Sequence, residues 1–270
     1  YHLFIGGHLS SDPGRPLRAD AAGLRSLDEA TLARVFQVSD DNPLEGLAGR
    51  ARLLRSLGEA ISAHPDLFGR DPARPGGLAD AARARAPGGV LAAHDLLAMV
   101  LEGLSSIWPG RVTHEGVNLG DVWVYSALGP GETERLVPLH KLSQWLTYSL
   151  VEPLEDAGLR VERLDELTGL AEYRNGGLFL DGGVLELRDP AAASQPHEPG
   201  SPLIVEWRAL TVALLDRLAE PLAHERGQAV DAFPLGNMLE GGTWAAGREL
   251  ASRLRDGTPP LTIVSDGTVF

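Results

Sequence analysis

Apolar residues recur at every third or fourth position in several stretches of the chain, the spacing of a helix that buries one face. This pattern predicts helices over residues 44–63 and 90–107, and each stretch stops at a break that contains proline. Ser26-Leu27-Asp28-Glu29 has the form of a capping box and predicts a further helix over residues 28–36. The first half of the chain is therefore expected to be largely helical.

A third long helix is predicted to begin near Pro138 and to run to about residue 157, where Gly158 closes it. Leucines at every fourth position from Leu142 to Leu150 are expected to form its core stripe. The polar residues that share a second face are Lys141, Gln144 and Tyr148, with His140 at the margin. This polar face is a candidate wall of a binding site.

The remaining patterns predict a short helix near Asp165, a β hairpin around Asp181-Gly182-Gly183, helices over residues 202–218 and 243–255, and a strand over 261–264. Glu206 and Arg208 lie in the almost wholly apolar 202–218 helix, so both are expected to be at least partly desolvated. The predicted fold class is mostly α with minor β, as a single domain over residues 1–270.

Composition narrows the function. The 270 residues carry a formal charge of −13, which disfavours binding to nucleic acid, and contain no apolar run long enough to span a membrane. The absence of cysteine excludes disulfides and thiolate chemistry and fits a reducing cytoplasm. Among 24 basic residues, Lys141 is the only lysine, which favours a role that an arginine cannot fill, although chance survival on a solvated helix face is the plain alternative.

Several common catalytic signatures are absent from the chain. It has no Gly-rich loop followed by lysine, no Gly-x-Gly-x-x-Gly turn, no pair of histidines at metal-binding spacing and no Gly-x-Ser-x-Gly elbow. Nucleotide-binding loops, zinc and a serine nucleophile are thereby disfavoured, and no cofactor is expected. A carboxylate-bound magnesium stays open.

Charged, aromatic and glycine residues concentrate in five blocks of the second half of the chain. The blocks are Leu139-His140-Lys141-Leu142-Ser143-Gln144-Trp145-Leu146, Glu172-Tyr173-Arg174-Asn175-Gly176-Gly177, Glu206-Trp207-Arg208-Ala209-Leu210, Leu239-Glu240-Gly241-Gly242-Thr243-Trp244-Ala245-Ala246-Gly247-Arg248 and Ser265-Asp266-Gly267-Thr268-Val269-Phe270. Together with Phe36-Gln37-Val38, Asn42-Pro43 and Gly120-Asp121-Val122-Trp123, they resemble the uracil catabolism protein 4 family over essentially the whole chain. Members of that family have a further N-terminal segment, and the apolar, uncapped start at Tyr1 leads us to expect that this chain is part of a longer protein.

A weaker resemblance concerns the chemistry. Glu172-Tyr173-Arg174, the pair Glu206 and Arg208, and Lys141 with Gln144 are similar in kind and order to blocks of the queuosine salvage protein family, a set of nucleotide N-ribosyl hydrolases. That family has Asp-Tyr-Arg where this chain has Glu172-Tyr173-Arg174. The resemblance implies a helical domain akin to helical DNA glycosylases and an enzyme that releases urea from a ribosylurea or its 5′-phosphate.

Cleavage of a ribose C–N bond passes through a cation-like transition state that a desolvated carboxylate stabilises. Glu172 and Glu206 are the candidate catalytic acids. The candidate substrate-binding residues are Lys141, His140, Gln144, Tyr173, Arg174, Arg208, Trp244 and Asp266. The expected partner is a small ribosylurea or nucleotide-derived substrate.

Each candidate also has a structural explanation. Glu206 and Arg208 can pair with other elements, Gln144 and Tyr148 can be satisfied core residues, and Asp266 can serve a turn. Two other functions stay open: a non-catalytic metabolite-binding protein of the same pathway, and an amidohydrolase that acts on the ureido group. The second is disfavoured, because amide hydrolysis usually recruits a metal or a Ser or Cys nucleophile.

Overall fold

The computed structural model describes residues 1–108, 110–229 and 235–264 of the chain. Helices dominate and the strands are short, which confirms the mostly α fold class with minor β. The helices are α1 (His2–Ile5), α2 (Ala21–Ser26), α3 (Glu29–Val35), α4 (Leu47–Ala63), α5 (Pro65–Phe68), α6 (Gly77–Arg85), α7 (Ala93–Leu104), α8 (Lys141–Asp156), α9 (Tyr173–Asp181), α10 (Pro202–Glu225), α11 (Leu235–Met238) and α12 (Ala245–Arg255). The strands are β1 (Val90–Ala92), β2 (Thr113–His114), β3 (Val117–Asn118), β4 (Val122–Val124), β5 (Leu136–Pro138), β6 (Arg160–Glu162), β7 (Pro196–His197) and β8 (Thr262–Ile263).

The described residues fall into two compact units. One comprises residues 1–120 and 150–162, and the other comprises residues 121–149 and 163–264. The expectations of a single domain and of a missing N-terminal segment stay predictions. Within the described ranges, no helix is both long and apolar enough to cross a membrane.

In the first unit, α2 packs closely on α4. Gly58 makes this approach possible, because a Cβ atom there would lie 2.7 Å from the carbonyl oxygen of Ala21. Asp28 caps α3 by accepting a hydrogen bond from the backbone N–H of Thr31. The predicted helix is confirmed, but Asp28 rather than Ser26 caps it, since Ser26 is the last residue of α2.

The core of the second unit is built around α9, α10 and the segment from α11 to α12. A large cluster of buried side chains consists of Leu170, Phe179, Leu215, Leu235, Met238 and Leu239, and a smaller one consists of Ile204, Trp207 and Leu261. Gly247 of α12 lies so close to α9 that a Cβ atom would be pushed against the carbonyl oxygen of Arg174. The second unit also contains two two-stranded sheets, β4–β5 and β7–β8.

Four local predictions need correction. The hairpin around Asp181-Gly182-Gly183 is wrong: the residues before it form α9, and Gly183, with φ of +70°, reverses the chain so that the Val184 N–H bonds to the carbonyl of Phe179. The helix predicted from residue 90 begins only at α7, because β1 pairs in parallel with β6. The helix predicted from Pro138 begins at Lys141, since β5 pairs with β4.

The fourth correction concerns the burial of α8. Leu142, Leu146 and Leu150 are only partly buried, whereas Lys141 and Gln144 on the polar face are 3% and 6% exposed. The predicted leucine core stripe is therefore wrong. The polar face of α8 is the more deeply buried one, and a polar face that is covered by protein indicates a site.

Candidate ligand-binding site

A pocket of about 220 Å³ lies within the second unit. Its lining residues are Trp145, Tyr148, Ser149, Leu170, Glu172, Asn175, Gly236, Leu239, Glu240 and Trp244. Three aromatic side chains and two carboxylates meet in it, a mixture of apolar wall and few polar groups that is typical of small-molecule sites.

Glu172 is held at the start of α9, where it acts as the N-cap. Its Oε2 accepts hydrogen bonds from the backbone N–H groups of Arg174 at 2.7 Å and Asn175 at 3.2 Å. The two backbone bonds hold the carboxylate in place, and because both go to Oε2, the second oxygen, Oε1, takes no part in the cap.

Burial raises the pKa of Glu172 above its ordinary value, although the two backbone hydrogen bonds and the charges of Lys141 and Arg174 oppose the shift. Lys141 responds in the opposite sense. Burial and the nearby Arg208 lower the pKa of Lys141 to about 8, against the opposing charges of Glu172 and Asp121. The charges of the two groups therefore act on each other, although Lys141 is not among the residues that line the pocket.

Asp121 lies between the two buried cations Arg208 and Lys141 and contacts both residues. Its two carboxylate oxygens accept hydrogen bonds from Nη1 and Nη2 of Arg208 at 3.0 and 2.9 Å. The indole N–H of Trp123 and the backbone N–H of Lys141 also donate to it, at 2.6 and 2.9 Å. Burial raises the pKa of Asp121, but the charge and hydrogen bonds of Arg208 outweigh it and hold the pKa below the ordinary value. Asp121 thus ties the first residue of α8 to α10.

A hydrogen bond between Asn175 and Thr243 connects α9 to the segment that precedes α12. The segment Leu239–Trp244 forms a π-helical turn ahead of α12, a feature often found at functional sites. Thr243 Oγ1 donates a hydrogen bond of 2.9 Å to Oδ1 of Asn175, whose amide nitrogen donates to the carbonyl oxygen of Leu170. This link fixes the π-helical turn relative to Glu172.

Trp244, which lines the pocket, has a buried indole nitrogen, Nε1, that makes no hydrogen bond among the described residues. Oε1 of Gln144 on α8 is likewise buried without a described partner, but Gln144 is not among the residues that line the pocket. The ring of Trp244 packs edge-on against Trp145 at 6.2 Å, and the guanidinium of Arg248 lies over it at 4.3 Å. Tyr148, by contrast, donates its hydroxyl to the carbonyl of Thr168 and is satisfied within the protein.

Glu206, the other candidate catalytic acid, does not line the pocket that contains Glu172. Glu206 lines a separate pocket of about 310 Å³ with leucines 180, 185, 187, 203 and 210, and its carboxylate lies 3.8 Å from the exposed guanidinium of Arg188. Residues two positions apart on a helix point in different directions. Hence Arg208 turns to Asp121 while Glu206 faces the other side of α10.

Other predicted site residues serve the fold. Tyr173 packs against the cluster around Trp207, and Arg174 lies over the Tyr173 ring and donates to the carbonyl of Gly257 at 2.8 Å. His140 precedes α8 with φ of +44°, and burial lowers its pKa against the opposing charge of Asp121. Asp266 lies outside the described residues.

Three residues that line the pocket or pair with its charged neighbours escaped the sequence reasoning: Asp121, Asn175 and Glu240. In the sequence, Asp121 stood out only as part of the Gly120-Asp121-Val122-Trp123 block. The signal that could have identified it is the expected burial of Arg208, because a buried arginine requires a carboxylate partner. Asn175 and Glu240 stand next to glycine pairs, where a turn was the simpler explanation. Within the described chain, no three His, Asp or Glu side chains come together as a metal site.

The sequence model of a family described as "Protein of unknown function (DUF1688)" matches residues 1–270. The chain is 39% identical to "Uracil catabolism protein 4" of Lachancea kluyveri, with 100% of the chain and 67% of the relative aligned. It is 42% identical to "Protein urg3" of Schizosaccharomyces pombe, with 99% of the chain and 65% of the relative aligned. The chain spans about two thirds of the length of these relatives. The resemblance carried by the signature blocks is thereby confirmed, and the chain belongs to the uracil catabolism protein 4 family, the family of the DUF1688 domain.

Proposed function

We propose that this protein acts in the breakdown of uracil as an N-ribosyl hydrolase, which releases urea from a ribosylurea or its 5′-phosphate. The observation that supports the proposal best is Glu172, a buried carboxylate fixed at a helix start in an aromatic pocket and coupled to Lys141. The name of the Lachancea kluyveri relative supports the pathway. N-ribosyl hydrolysis is the reaction that the resemblance to the queuosine salvage family implies, and the carboxylate and aromatic rings of the pocket support it.

Departure of a ureido group leaves positive charge on the ribose ring and its oxygen, so a nearby carboxylate lowers the barrier. Glu172 is suited to this role because its Oε2 is already held by two backbone N–H groups. Its Oε1 is then available to align a water molecule for attack on the anomeric carbon. The oxygen of this water bonds to the anomeric carbon as the C–N bond breaks. The water passes one proton to Glu172, which gives it to the leaving nitrogen, so that urea departs neutral and the carboxylate is restored.

The leaving nitrogen needs a proton or a strong hydrogen bond. With a pKa of about 8, Lys141 is mostly protonated at neutral pH and supplies positive charge beside Glu172. This charge also favours a substrate that carries a 5′-phosphate. Arg208 does not compete for that role, because Asp121 occupies its guanidinium in bidentate fashion.

The test is a product assay with ribosylurea and with its 5′-phosphate. We expect urea together with ribose or ribose phosphate in equal amounts. Glu172→Gln should abolish most turnover while substrate still binds, and Glu206→Gln, the same change in the separate pocket, should leave turnover near normal. Release of ammonia would instead indicate an amidohydrolase, and binding without any product would indicate a metabolite-binding protein.

A further inference from the structure

Glu240 is the second carboxylate of the pocket, and the proposed reaction leaves it unused. It lines the same pocket as Glu172. No hydrogen bond or ion pair joins it to another residue in the part of the chain that the structure describes. A glutamate next to Gly241-Gly242 would be expected in a loop. The segment is instead a π-helical turn, so a loop does not account for Glu240.

Trp244 follows four positions later on the same turn, a spacing that puts both side chains on one side of a helix. Its indole N–H is buried without an acceptor among the described residues, an arrangement that proteins usually avoid. The same ring forms a wall of the pocket with Trp145. The π-helical turn therefore brings two complementary groups to the pocket wall: a carboxylate, which accepts hydrogen bonds, and a buried indole N–H that has no acceptor among the described residues.

A ureido group has the matching pattern. Its two nitrogens each direct an N–H away from the carbonyl, and this pair can donate to both oxygens of one carboxylate. The carbonyl oxygen on the opposite side accepts from an indole N–H. The group is flat and uncharged, so it also packs well between aromatic rings.

We propose that Glu240 and Trp244 form the subsite that binds the leaving ureido group, and that they select a substrate with a terminal, unsubstituted –NH–CO–NH₂. This inference rests on the proposed function, which supplies the ribose part of the substrate. Recognition of the ureido group by Glu240 and Trp244 requires only that a ureido compound binds in the pocket. The hydrogen bond between Thr243 and Asn175 holds this subsite at a fixed place relative to Glu172.

The test uses binding, so that it does not depend on turnover. In a Glu172→Gln background, the affinity for ribosylurea is measured by calorimetry, together with that for an analogue methylated twice on its terminal nitrogen. Adding Glu240→Gln should weaken ribosylurea binding about tenfold to a hundredfold, the scale of one charged hydrogen-bonding partner. Trp244→Phe keeps an aromatic ring but removes the N–H, and should weaken binding about threefold to tenfold.

The methylated analogue makes the result specific. This analogue lacks the terminal N–H groups. When Glu240 is present, it should bind more weakly than ribosylurea. When Glu240 is replaced by Gln, the two compounds should bind with about the same low affinity. Glu249→Gln is the matched control, because Glu249 is an exposed glutamate of α12 that faces Arg253 at 3.9 Å. Its affinity should equal that of the background protein.

Failure of the subsite and failure of the hydrolase give different results. If the otherwise unaltered protein releases urea but Glu240→Gln and Trp244→Phe leave both affinity and KM unchanged, the subsite is wrong and the hydrolase stands. If ribosylurea binds without being cleaved and Glu240→Gln removes that binding, the subsite stands and the hydrolase is wrong. If ribosylurea does not bind at millimolar concentration, the subsite is refuted.

Discussion

Replacing Asp121 by Asn would remove the carboxylate that pairs with a buried arginine. Arg208 is 2% exposed, and both ends of its guanidinium donate to Asp121. Asn has nearly the same shape as Asp, but it offers one oxygen and one NH₂ group, so one N–H of Arg208 would face another donor. Trp123 and Lys141 donate to the same carboxylate and would each lose part of their bonding.

Breaking a buried ion pair by removal of one partner typically costs about 3–5 kcal/mol, because a buried charge is left uncompensated. We expect Asp121→Asn to lower the free energy of unfolding by that amount. Asp80→Asn is the control, since Asp80 and Arg83 form a pair of 3.6 Å whose side chains are 72% and 51% exposed. An exposed pair of this kind contributes at most about 1 kcal/mol.

Urea-induced unfolding monitored by tryptophan fluorescence measures both variants, and the pH dependence gives a second check. The pKa of Asp121 is depressed in the folded protein, so its stabilisation is present above the unfolded value near 3.8 and is lost as the pH falls through the lower folded pKa. The difference between wild type and Asp121→Asn should therefore shrink in acid. A loss below about 1 kcal/mol at neutral pH, equal to that of Asp80→Asn, would refute the role given to this pair.

Three further predictions concern activity. Glu172→Gln should reduce kcat by at least about a hundredfold with little change in substrate affinity, as measured by steady-state kinetics and calorimetry; normal kcat would exclude Glu172 as the catalytic carboxylate. Lys141 loses its proton as the pH rises through about 8, so kcat/KM should fall there in a pH profile, and Lys141→Met should remove that limb. Glu206→Gln should change both kcat and thermal stability little, since its partner Arg188 is 94% exposed; a large loss of kcat would reverse the assignment of the two acids.

Local signals predicted helices well where periodicity and caps agreed. The helix over residues 44–63 is found as α4, and α3, which Asp28 caps, begins one residue after the predicted start. Prediction failed where distant pairing decided the structure. Residues 90–92 read as the start of a helix, yet β1 pairs with β6 some seventy residues away in the chain. No local pattern contains that partner.

The hairpin error has a different origin. Asp181-Gly182-Gly183 suits both a tight hairpin turn and the end of a helix, because glycine permits the positive φ that each requires. The deciding residue is Glu172, which starts α9 nine positions earlier by bonding two backbone N–H groups. The same two hydrogen bonds cap the helix and hold the carboxylate of Glu172 in place, and this fixed carboxylate is the candidate catalytic acid.

By itself the sequence determined the fold class, the family and the chemical inventory of the site, including the single lysine and the acid at position 172. These depend on residue types and short spacings, which the chain carries directly. Only the tertiary structure decided which groups meet: it separated Glu206 from Glu172, gave Arg208 to Asp121, and brought Glu240 and Trp244 into the pocket. Such pairings depend on how α8, α9 and α10 pack, and charge interactions act over distances in space that sequence separation does not reveal.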